Sequence, residues 1–117
     1  DYRKLVVWQR AHDFVLLVYA GTSDLPEEER FGLTSQIRRA AVSIPSNIAE
    51  GCGRETQNEL RRFLYVAMGS ARELDYHLLL ARDLQYINPA RYQELNGHLE
   101  QIQRLLNAFI RRITPDS

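Results

Sequence analysis

The chain has 117 residues, the size of one domain, with 15 Lys plus Arg against 15 Asp plus Glu and no formal net charge. A fold of this length buries roughly two thirds of the surface its unfolded chain exposes, so one core suffices, and the charge balance excludes the global field of an obligate nucleic-acid or membrane-surface binder. A single cysteine, Cys52, excludes an intrachain disulfide and a four-thiolate metal site, fits a reducing compartment and predicts a cytoplasmic protein.

Four stretches with helical periodicity follow one another, and none shows the two-residue alternation of a half-buried strand. The first, about 5–20, carries Leu5, Trp8, Val15, Leu16 and Tyr19 as apolar positions and stops at Gly21, which suits a left-handed cap. Arg10 and Asp13 interrupt it, and no window approaches the ~20 apolar residues of a membrane span, so a soluble, unexported chain is expected. The second helix, about 26–50, opens with Pro26 in its first turn and Glu27, Glu28 and Glu29 at the positive end of its dipole, and Gly51 and Gly53 end it. Thr56 and Glu59 have capping-box spacing and open the third helix, about 57–85. Asn88 and Pro89 open the fourth, about 89–113, in which Leu95, Leu99, Ile102, Leu106, Phe109 and Ile113 alternate steps of four and three. Connections this short predict an all-α, single-domain fold over 1–117, an antiparallel up-down-up-down four-helix bundle. Only Asp1–Lys4 and Thr114–Ser117 are expected to fray.

At about 100° per residue, Leu33, Ile37, Ala40, Ile44 and Ile48 of the second helix share one arc that faces the core. Gln36, Arg39, Ser43, Asn47 and Glu50, with Arg54 beyond, form a polar arc beside it. Half-buried amides, hydroxyls and charges need partners or cost about 1–3 kcal/mol each. Pro45 cannot donate to the carbonyl of Ala41, which predicts a kink whose freed carbonyls nearby serine hydroxyls can occupy.

The third helix sets Gly69, Ser70 and Glu73 beside its apolar line of Leu60, Phe63, Leu64, Ala67, Ala71, Leu74 and Leu78. A mid-helix glycine costs about 0.5–1 kcal/mol relative to alanine, and close packing is the expected compensation. Two readings of the polar stripe stand: a network within the subunit, joining Arg39 or Asn47 to Glu73, or a subunit or ligand interface. Tyr65, Met68, Tyr76 and Leu79 lie off the core line and supply more apolar surface than one seam requires, which favours self-association.

The Trp8-x-x-Ala11 start and the run from Gln36 to Ala41 and from Ser43 to Gly51 belong together with Arg54, Phe63-Leu64, Ala67, Gly69-Ser70 and Glu73-Leu74. In these words the chain resembles the bacterial four-helix-bundle proteins called 23S rRNA intervening-sequence proteins, over nearly its whole length. The resemblance implies an antiparallel bundle that assembles as a homopentamer, is often encoded within insertions in ribosomal RNA genes, and has no established activity. A related branch, the accessory variability proteins of diversity-generating retroelements, is similar in fold and works with a reverse transcriptase and nucleic acid. Those relatives are basic, whereas this chain is neutral.

Candidate chemistry is sparse. Glu73 to His77 and Glu94 to His98 are spaced by four, unlike the Glu-x-x-His interval of carboxylate-bridged metal bundles, and His12 reads as a rim histidine of the first helix. Ser43, Ser46, Ser70 and Cys52 are the available nucleophiles, none in a sharp strand-to-helix turn. Gly51 to Arg54, with the start of the third helix, offers an anion a landing point. No cofactor is implied.

Four basic doublets remain, Arg3-Lys4, Arg38-Arg39, Arg61-Arg62 and Arg111-Arg112, and repetition in a ring would multiply each into a phosphate-binding band. The functional expectation is a non-enzymatic, self-assembling bundle whose partners are itself and RNA or a nucleic-acid-processing protein, with no membrane. A purely structural oligomer binding another protein is the alternative, and a cryptic hydrolase or nuclease using Glu50, Glu73 and the arginines is the third.

Overall fold

The computed structural model describes residues 1–114; Pro115–Ser117, expected to fray, lie outside the described residues. Four α-helices carry the fold: α1 (Val6–Gly21), α2 (Leu33–Cys52), α3 (Gln57–Asp83) and α4 (Pro89–Arg112). Two short 3-10 turns precede α1 and α2, at Tyr2–Lys4 and Glu27–Glu29, and no strand occurs among the described residues. The first turn is ordered by Asp1, whose carboxylate accepts from the Arg3 amide at 3.0 Å, so Asp1–Lys4 is not the loose end expected.

Each helix packs against its neighbours in sequence and α1 closes on α4, whereas the backbones of the diagonals α1–α3 and α2–α4 do not approach closely. The result is a four-cornered body of 49 × 24 × 21 Å, with its most extensive contact between α2 and α3. Contacts pair early residues of one helix with late residues of the next: Arg10 donates to Gln101, and Gly21 lies against Arg91 and Leu95.

The predicted core arc of α2 is buried in full, and Leu95, Leu99, Ile102 and Leu106 of α4 are likewise sealed. The α1 reading needs correction. Its core positions are Val7, Ala11, Phe14 and Val18, spaced four, three and four, while Leu16 and Tyr19 are 58% and 44% exposed. So much of α1 is apolar that two phases are available, and the rest of the bundle selects between them. Met68 also moves: at 3% exposure it belongs to the core of α3 instead of its outer surface.

Boundaries shift for local reasons. Gly21 is the last residue of α1 and has no positive φ; the Thr22 hydroxyl, donating to the Val18 carbonyl at 2.8 Å, closes the helix instead. Pro26 and the three glutamates form a separate turn, and α2 begins seven residues later at Leu33, whose amide is capped by the Glu29 carboxylate at 3.1 Å. The glutamate charge therefore serves the helix dipole across the chain's bend at Gly32. α2 then runs unbroken through Pro45, which is buried.

Candidate interaction surface

The polar stripe divides into a half-buried centre and wet ends. At the centre the Ser43 and Ser70 hydroxyls meet at 2.7 Å across the α2–α3 seam. Asn47 donates to the Ser43 carbonyl at 2.8 Å and to its hydroxyl at 2.9 Å, so this half-buried trio is mutually satisfied. The Ser43 hydroxyl is thus turned to Ser70, not to a carbonyl freed by Pro45.

Around this trio Gln36, Arg39, Glu50, Arg54 and Glu73 are exposed. Glu50 and Arg54 pair one turn apart on α2, an exposed contact of little energetic weight. Gln36, Arg39 and Glu73 have no polar partner among the described residues, so the expected joint from Arg39 or Asn47 to Glu73 is absent.

The arginines likewise differ from one another. Arg38 is half-buried, donates to the Thr22 hydroxyl at 3.0 Å and the Tyr19 carbonyl at 3.3 Å, and lies over the Tyr19 ring. It caps the end of α1. Near the start of α3, Arg54 and Arg62 both lie over the Phe63 ring, at 4.8 and 4.5 Å. Arg62 also binds Glu59 at 3.0 Å, and that bond, with the guanidinium charge, holds the Glu59 carboxyl below its ordinary range. Arg61 lies over Tyr65 and keeps a buried Nε without a partner. Arg111 and Arg112 are exposed at the end of α4, the latter over Phe109.

Cys52 is half-buried, and burial raises its thiol above the ordinary 9.0, partly opposed by the positive chain terminus, which leaves it a poor nucleophile. Among the described residues no group of three or more His, Cys, Asp or Glu side chains could hold a metal. No helix there is long and apolar enough to cross a membrane.

Apolar surface remains in two places. On α3, Tyr65 and Tyr76 are 53% and 59% exposed and Leu79 is half-buried. The second place is a groove between α1 and α2, which sequence reasoning missed because it follows from the phase of α1. Trp8 and Val15 form one wall and Val42, Pro45 and Ala49 the other, around a cleft of about 290 Å³. Trp8 stacks on His12 with centroids 5.0 Å apart, and Tyr2 meets the indole edge-on. Val42 links it to a second cleft of about 490 Å³ bordered by Tyr19, Arg39 and Phe31, the last 88% exposed.

Comparison with known proteins agrees with this architecture. No curated protein matches. A solved structure, described as a protein with unknown function from the S23 ribosomal protein family of Bacteroides thetaiotaomicron, is similar at 27% identity and a TM-score of 0.84, covering 91% of this chain and 99% of its own. The family model for 23S rRNA-intervening sequence proteins matches residues 3–108, nearly the full length, and the chain therefore belongs to that family.

Proposed function

We propose that this protein is a non-enzymatic, self-assembling adaptor, an up-down-up-down bundle that holds RNA by its phosphate backbone at one basic end. The observation that carries the reading is the placement of charge. Trp8 lies opposite Ala49, Gly51 against Phe63, and Arg10 against Gln101, which gathers the starts of α1 and α3 with the ends of α2 and α4. Arg3, Lys4, Arg54, Arg61, Arg62, Arg104, Arg111 and Arg112 belong to that end, against Asp1, Glu50, Glu55 and Glu59. The far end holds Asp24, Glu27, Glu28, Glu29, Asp75, Asp83 and Glu94 against Arg30, Arg38, Arg39, Arg82 and Arg91, and so carries a small negative excess.

Zero net charge thus conceals a polar molecule. With a screening length of about 8–10 Å at physiological salt, a phosphate at the basic end is several screening lengths from most of the opposing carboxylates along a 49 Å body. Assembly into a ring, five copies by the resemblance, would repeat the patch and raise affinity through many weak contacts. A cytoplasmic location suits the lone, half-buried thiol.

The test is salt-dependent retention of single-stranded and duplex RNA probes at ~50 mM salt, comparing the protein with a variant carrying Glu at Arg61, Arg62, Arg111 and Arg112. Retention lost in the variant supports the reading; no retention by the unaltered protein ends its nucleic-acid half. A purely structural oligomer that binds another protein is favoured by the exposed Phe31 and Tyr76; a pull-down recovering RNA without protein counts against it. Hydrolysis by Glu50 and Glu73 has least support, since Glu50 is held by Arg54 and Glu73 stands in solvent. That reading requires turnover that disappears in Glu73→Gln.

A further inference from the structure

The outward face of α3 is not uniformly polar. At about 100° per residue, Arg61, Tyr65, Gly69, Arg72 and Tyr76 fall within one arc about 80° wide, a strip that begins at the basic end and runs about four turns along the helix. Tyr65 and Tyr76 are 53% and 59% exposed, and Gly69 raises no side chain between them, with nothing within 4 Å of where its Cβ would stand. Cations alternate with the rings. Arg61 lies over Tyr65, 5.6 Å from the centroid, and donates to its hydroxyl at 3.5 Å, which steadies the ring while leaving part of it in solvent. Arg72 is exposed and has no polar or ring partner among the described residues. From Arg61 to Leu79 the arc holds no carboxylate; Glu73 and Asp75 border it on either side, and Asp83 at its far end is bound by Arg82 at 3.0 Å.

Free rings with guanidinium groups between them suit a ligand in which planar apolar faces alternate with negative charge. A single-stranded polynucleotide has this pattern, since each base offers a face to stack and each phosphate an anion. Protein segments fit less well. An extended acidic peptide has backbone N–H and C=O groups to satisfy, and the main chain of this stretch is committed to the helix, so no edge is left to pair with. An amphipathic helix needs a continuous apolar groove, whereas Gly69 and Arg72 separate the two tyrosines. A duplex keeps its bases stacked on one another and has no faces to offer.

We propose that the α3 strip binds single-stranded RNA, with bases stacked on Tyr65 and Tyr76 and phosphates held by Arg61 and Arg72. The inference rests on the RNA reading above and names the class of RNA: the basic end attracts any phosphate backbone, and the strip adds a grip that only an unpaired strand can use. The rings are about 16 Å apart along the helix, beyond the reach of one nucleotide, so they hold non-adjacent bases of one strand.

The test compares a fluorescent ~20-nucleotide uridine strand with a duplex of ~20 base pairs, by anisotropy at ~50 mM salt. Tyr76→Leu keeps apolar bulk and removes the flat ring at an exposed position, so the subunit should keep its fold. Affinity for the strand should fall about 10-fold in that variant, with duplex affinity unchanged, and Tyr76→Trp should restore it. Arg72→Gln should reduce the salt slope on the strand by about 0.7. A strand affinity unmoved by Tyr76→Leu overturns the strip and leaves this face to a protein partner, while the basic end stands if the variant with four glutamates loses the duplex. Equal losses on strand and duplex also overturn the strip, because they report a change in fold or assembly. If the variant with four glutamates keeps the duplex while Tyr76→Leu loses the strand, the basic-end reading falls and the strip survives. An unaltered protein that binds neither probe overturns both.

Discussion

Two glycines of the same apparent type have opposite physical roles. Gly51 is buried near the end of α2, where an added Cβ would lie 2.9 Å from the Phe63 Cβ and 3.3 Å from the Leu60 carbonyl. Gly51→Ala must therefore push α2 from α3, and overpacking of this kind costs about 1–3 kcal/mol. Gly69→Ala meets open space and should stabilise the subunit by about 0.5–1 kcal/mol. Urea unfolding measures both; equal midpoints for the two variants would contradict the assignment. The sequence marks Gly69 as the anomalous residue, but spacing along one helix cannot tell whether the compensating surface is inside the subunit or beyond it. The same limit applies to the stripe: Ser43, Asn47 and Ser70 are legible as a seam because hydroxyls and amides near a core arc must pair. Whether Arg39 reaches Glu73 depends on the lateral position of two helices, which no local pattern encodes.

At the scale of elements, the corners show where sequence signals succeed. Thr56 and Asn88 are side-chain caps at the residues expected, accepting from Glu59 and Arg91 amides at 3.1 and 2.7 Å, because an orphan N–H can be met by a neighbour three residues away. Helix ends are harder. α3 ends in a left-handed Gln85, φ 65°, with the Tyr86 amide bonded to the Ala81 carbonyl and the Gln85 amide to that of Arg82, each at 2.9 Å. The signal usually sought there is glycine, so Gln85→Gly should raise stability by about 1 kcal/mol, read from the denaturant midpoint. Tyr86 then reaches back to tie the α1–α2 connection: its hydroxyl donates to Glu29 at 3.1 Å, while the other Glu29 oxygen caps α2. Donation to that carboxylate raises the phenol above its ordinary 10.0, with burial a lesser cause. A raised folded value means the contribution is fully present below pH 10.0 and lost as pH climbs through the raised value. Tyr86→Phe should therefore be less stable than the unaltered protein at pH 8 and indistinguishable from it in strong alkali. A gap unchanged after the folded phenol has ionised, followed by its ultraviolet absorbance, would show that the hydroxyl bond is not its source.

For the whole molecule, the four-helix count and single core are legible because periodicity and caps are local, and the α1 phase is not, because a helix apolar over most of its surface acquires its inward face only from its neighbours. Charge follows the same division. Composition reports zero, and only the order of the helices in space gathers an excess of arginine at one end. If RNA is held at the basic end as proposed, its binding should depend on assembly. Arg54 and Arg62 are partly neutralised by Glu50 and Glu59, so one subunit presents fewer free cations at its basic end than the sequence places there. Each phosphate neutralised on a single strand contributes about −0.7 to the slope of log affinity against log salt, so the slope counts the contacts engaged together. Dilution below the concentration at which copies associate leaves every arginine in place but separates the bundles. If assembly supplies the binding surface, the slope for a ~40-nucleotide single strand should fall severalfold on dilution, and affinity should fall with it by about 10²-fold or more. If the slope stays unchanged while the mass drops to that of one subunit, each basic end acts alone. The charge reading would then survive without the multivalent one, because the number of phosphates held would be a property of the single bundle.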